Sequence, residues 1–105
     1  MTVFGNDPKV RKSVPVYSGC IKYFPLALAE VAKRSAKGQQ QHNPDRPLDW
    51  DRSKSGDELD ALMRHLIEED WSGVAWRALA HLQKELEREV VRGRTHNPEG
   101  EGEEG

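Results

Sequence analysis

The stretch Ser55-Gly56-Asp57-Glu58-Leu59-Asp60-Ala61-Leu62-Met63-Arg64-His65-Leu66-Ile67 decides the fold. Leu59, Leu62, Met63, Leu66 and Ile67 stand at 0, +3, +4, +7 and +8, which is one apolar stripe on an α-helix. Ser55 and Glu58 fit a capping box, in which each side chain satisfies a free backbone donor at the helix start. The spacing predicts that the stripe faces the core and that Arg64 and His65 lie at its borders. Glu69-Asp70-Trp71-Ser72-Gly73 then supplies a break. Ala75, Leu79, Leu82, Leu86 and Val90 continue at 0, +4, +7, +11 and +15, so a further helix ends near Gly93 and a short turn makes a helical hairpin.

Working outward, Phe24, Leu28 and Ala32 give a helical period from about Phe24 to Lys37, with Pro25 suited to the first turn and Gly38 as the stop. Between this helix and the hairpin lies a loop, Gly38 to Lys54, with two prolines and no sustained period. Loops that long are usually functional or disordered, and Trp50 favours order. Residues 1–20 show apolar positions without a helical period and read as an extended arm. The expected organisation is all-α: an extended N-terminal arm (1–20), a small three-helix unit (21–93) and a disordered acidic tail (94–105).

The chain has 105 residues, 16 Lys and Arg against 18 Asp and Glu, and a mean hydropathy of -0.85. That is one small, polar domain. Residues 99–105 hold four of the 18 acids and no base, leaving 14 acids against 16 bases in residues 1–98. So small a surplus is no strong nucleic-acid signal. No apolar run reaches the roughly 18 residues of a membrane span, and the start lacks a secretory order, so no membrane partner and a cytoplasmic location are expected. The single cysteine, Cys20, forms no internal disulfide, and no Cys-rich zinc site is available. Three helices of this length bury a modest core, which predicts a homo-oligomer.

Chemistry concentrates on the 55–67 helix and the loop before it. Asp57, Ala61, His65 and Glu69 stack at intervals of four, flanked by Asp60 and Arg64. Carboxylates in such a row suit Mg2+, which takes oxygen ligands, and the same row also reads as a solvated face laced by ion pairs. Arg46, Arg52 and Lys54 bracket Trp50, a set that can stack on a base and neutralise phosphates, or pin the loop to the helices.

The segments 23–32 (Tyr-Phe-Pro-Leu-Ala-Leu-Ala-Glu-Val-Ala), 49–54 (Asp-Trp-Asp-Arg-Ser-Lys), 60–66 (Asp-Ala-Leu-Met-Arg-His-Leu) and 75–80 (Ala-Trp-Arg-Ala-Leu-Ala) together resemble the phage-associated dATP/dGTP diphosphohydrolase N-terminal domain family, of the MazG-like all-α pyrophosphohydrolase type. The resemblance covers roughly residues 14–89, and its acidic loop is shortened to Glu68–Val74. It implies Mg2+-dependent removal of pyrophosphate from a purine nucleotide. On that reading Asp57, Asp60 and Glu69 hold Mg2+, His65 and Glu69 are catalytic, and Trp50, Arg52, Lys54 and Arg64 bind the substrate. The alternative is a non-catalytic helical module that binds or sequesters a nucleotide or engages a protein partner.

Overall fold

The computed structural model describes residues 3–42, 44–50, 52 and 56–91. Its elements are α1 (Pro8–Lys12), a π-helical turn (Tyr17–Ile21), α2 (Pro25–His42), α3 (Glu58–Ile67) and α4 (Trp71–Val91). The fold is all-α, with no strand among the described residues. Ser55 of the expected capping box, Lys54, the helix end near Gly93 and the acidic tail lie outside the described residues.

The arm expected to be extended is instead helical over two short pieces. Asp7 caps α1, its carboxylate accepting from the Lys9 N–H at 2.9 Å, and Pro8 occupies the first helical position. An N-cap acid followed by proline starts a helix without any apolar period, so periodicity missed it. α2 begins at Pro25 as expected but runs through Gly38 to His42. A glycine stops a helix where the next turn needs a left-handed residue, and Gly38 has no such φ.

The hairpin between α3 and α4 is a Schellman turn. Asp70 N–H donates to the His65 carbonyl at 2.9 Å and Glu69 N–H to that of Leu66 at 3.1 Å. Glu69 sits at the left-handed position with φ 57°, where glycine is usual. Holding an L-residue there costs roughly 1–2 kcal/mol. Asp70 then starts α4: its carbonyl accepts from Val74 N–H at 3.0 Å and its Oδ1 from Gly73 N–H at 3.4 Å.

α4 packs against both α3 and α2. The buried apolar side chains among the described residues are Ala61 and Ala80, 2% and 4% exposed. This corrects the expected orientation of the hairpin. α3 faces its neighbours through Glu58, Ala61, Leu62 and His65, while Leu59, Met63, Leu66 and Ile67 stand 54%, 49%, 41% and 81% exposed. On α4, Gly73, Ala80 and Lys84 turn inward and Leu79, Leu82 and Val90 outward. Small residues let the helices approach, and ion pairs across them fix which faces meet. The apolar stripe exists, but the described residues do not cover it.

Candidate functional site

One polar group sits at the hairpin corner, where α2 meets the start of α4. Asp70 receives Arg34 from α2 in a two-point contact, Nη2 to Oδ2 at 2.5 Å and Nη1 to Oδ1 at 3.2 Å. His65, in the last turn of α3, places Nδ1 2.9 Å from the same Oδ2 and 3.4 Å from Arg34 Nη2. Burial by itself pushes the Asp70 carboxyl up, but the Arg34 contacts and the Gly73 N–H outweigh it and hold the group below its ordinary range. With Nδ1 turned toward a carboxylate, the imidazole can donate there from Nδ1, which fixes the orientation of the ring.

Gly73 is buried beneath this group. A Cβ there would lie 2.7 Å from Asp70 Oδ2, 2.7 Å from His65 Nδ1 and 2.9 Å from Arg34 Nη2. All three atoms are held by one another, so none can retreat freely. Gly73→Ala is expected to cost about 1–3 kcal/mol of stability in chemical denaturation, despite alanine's better helix propensity.

A second polar group ties the loop to α4. Trp50 meets Trp76 edge to face, with ring centroids 5.7 Å apart, and the Trp76 indole N–H donates to Ser35 Oγ on α2. The Arg52 guanidinium lies 4.4 Å from the Trp50 ring and pairs with Glu87. Lys84 lies 5.7 Å from the same ring, pairs with the buried Glu58 and reaches the Arg52 carbonyl at 3.5 Å. Lys84 holds the Glu58 carboxyl below its ordinary value. Gln83 and Arg52 do the same for Glu87.

Trp50 and Arg52 are therefore together, the guanidinium against the Trp50 ring, with Trp50 edge to face with Trp76 and Arg52 paired with Glu87 on α4. Arg64 meets Asp57 at 3.0 Å, not Asp60 or Glu68, and lowers the Asp57 carboxyl. Both partners are mostly exposed, and such a pair contributes little to stability. Glu69 is given over to the hairpin turn, and its neighbour Asp70 is the carboxylate that reaches His65. Asp57, Asp60 and Glu69 do not converge: among the described residues no three His, Cys, Asp or Glu side chains are placed to hold a metal ion.

Arg34 and Asp70 escaped the sequence reading. They are 36 residues apart, so no spacing pattern links them. The available signal was an aspartate directly before a helix start, which marks a cap. No helix among the described residues is long and apolar enough to cross a membrane. No protein-family model, curated protein or solved structure matches the chain.

Proposed function

We propose that the chain is a helical interaction module whose working form is a two-fold pair of copies joined through α3. The observation that carries this reading is the uncovered stripe Leu59, Met63, Leu66 and Ile67, at 0, +4, +7 and +8 on one side of α3. Contiguous apolar surface of this kind marks an interaction site. Charge supports a second copy as the occupant. At about 100° per residue, Asp60 and Arg64 flank the Ile67 edge of the stripe, the acid nearer the N-terminus and the base nearer the C-terminus. Two α3 helices packed antiparallel about a two-fold axis near Met63 bring Asp60 of each toward Arg64 of the other. Asp60 has no ion pair among the described residues, which leaves it available. Sedimentation equilibrium at micromolar concentration is expected to give twice the chain mass of 11.9 kDa. A single-chain mass contradicts the reading.

A second reading, hydrolysis of a purine deoxynucleoside triphosphate to the monophosphate and pyrophosphate, goes with the family resemblance. The observation that favours it is the Asp70–His65 contact, which orients an imidazole as a general base is oriented. Pyrophosphate release from dATP and dGTP, with and without Mg2+, is its test: no release with either nucleotide rejects it.

A further inference from the structure

From Pro8 to Ala29 the sequence carries Lys9, Arg11, Lys12 and Lys22 and no acid. The charge balance of the whole chain hides this local excess. The ion pairs of the described residues lie on α2, α3, α4 and the Trp50–Arg52 segment. None involves these four cations. Arg11 donates to the Gly5 carbonyl and lies 6.0 Å from the Phe4 ring, and neither contact neutralises its charge. In the same segment Tyr17, Tyr23 and Phe24 are 66%, 67% and 53% exposed. Tyr23 and Phe24 meet edge to face at 85°, so the edge of one ring rests on one face of the other and the remaining ring surface is exposed. Up to Phe24 the segment is shaped by its own backbone hydrogen bonds, and the extensive helix packing among the described residues is that of α4 on α3 and α2.

We infer that this N-terminal segment is a binding surface for single-stranded nucleic acid, its cations contacting phosphates and its rings stacking on bases. Unneutralised cations interleaved with exposed aromatic rings match a polyanion that carries planar groups at regular intervals. A bilayer surface is the poorer fit. An interfacial helix needs a long apolar face, and α1 is five residues with Val10 as its one aliphatic side chain. The reading does not depend on how α3 is covered.

The test is fluorescence anisotropy of a labelled oligothymidylate of about 20 nucleotides, titrated with the full chain over a range of salt concentrations. The wild type is expected to bind, with affinity falling as salt rises. Replacing Lys9, Lys12 and Lys22 together by Gln should reduce the salt slope by about 2, at roughly 0.7 per lost phosphate contact. Tyr17→Ala with Tyr23→Ala should weaken binding by roughly 5-fold to 150-fold for each stacked base lost and leave the slope unchanged. Circular dichroism checks that both variants keep the helical content of the wild type. No anisotropy change with the wild type overturns the inference, and so does unchanged affinity in both variants. Cosedimentation with phosphatidylserine vesicles without oligonucleotide binding overturns it in favour of a lipid surface.

Discussion

Lys84→Met is expected to lower the melting temperature by roughly 10–20 °C, corresponding to about 3 kcal/mol. Glu58 is buried at the first turn of α3, and the Lys84 ammonium on α4 is the cation that balances it. Methionine keeps most of the stem and removes the charge, so the loss reads the unpaired carboxylate more than lost packing. Breaking such a pair from one side is costly, whereas replacing both members by apolar groups is often neutral. Glu58→Leu added to Lys84→Met is therefore expected to recover most of the lost stability. The pH dependence has a definite sign. In the wild type the Glu58 carboxyl is held below its ordinary value of 4.5, so its contribution is complete above that value and is lost as pH falls through the lowered one. In Lys84→Met the largest cause of that lowering is gone, so the loss of stability on acidification at this site is expected to shrink. A variant that melts like the wild type contradicts the role assigned to the pair.

The largest effect on assembly is expected from Leu66→Asp. Leu66 is 41% exposed in the single chain, so a carboxylate there remains hydrated and the α2–α4 packing stays intact. In a two-fold pair the same substitution enters the interface twice and buries two like charges against apolar surface. At about 2–3 kcal/mol for each, the pair weakens by roughly 10³-fold to 10⁴-fold, enough to yield single chains at micromolar concentration. The wild-type melting temperature should rise with protein concentration, and that of Leu66→Asp should not. Arg64→Ala at the exposed Asp57 pair should leave the unfolding of the single chain near that of the wild type.

α2, α3 and α4 were legible in the sequence because periodicity reports amphipathic segments directly, and α1, which has no apolar period, was not. α3 lies inside the expected span, and α4 follows the Ala75–Val90 pattern. Which face each helix turns inward was not legible. Periodicity identifies an apolar stripe but not the surface that covers it, and here the inward faces of α3 and α4 carry Ala61, Ala80 and Gly73 together with charged partners. The contacts that select those faces are non-local: Arg34 with Asp70, Lys84 with Glu58, and Trp76 with Ser35. No spacing along the chain encodes such pairs.

The candidate site divides the same way. His65, read at the border of a core-facing stripe, lies on the inward face, and Trp50 with Arg52, read as a set that stacks on a base or pins the loop, meet each other. The carboxylate was placed one residue early, on Glu69, because a helix continued in register puts Glu69 on the same face as His65. The Schellman turn breaks that register: Glu69 takes the left-handed position, and Asp70 swings back to cap α4 and meet the imidazole. Where a chain reverses within three residues, helical spacing no longer carries across the turn.

Covalent trapping at the proposed two-fold axis tests the pairing of α3 most directly. Cys20 is exposed and would compete, so the background is Cys20→Ser. In that background Met63→Cys places a thiol on each copy at the centre of the antiparallel pair, where packed helices can bring the two Cα atoms within the 4.4–6.8 Å span of a disulfide, a figure of about 6 Å being usual. Lys33→Cys on the exposed side of α2 serves as the control. After mild oxidation, the account predicts that Met63→Cys runs as a disulfide-linked pair on a non-reducing gel while Lys33→Cys stays a single chain. A single-chain band for Met63→Cys, or equal trapping at both positions, contradicts it.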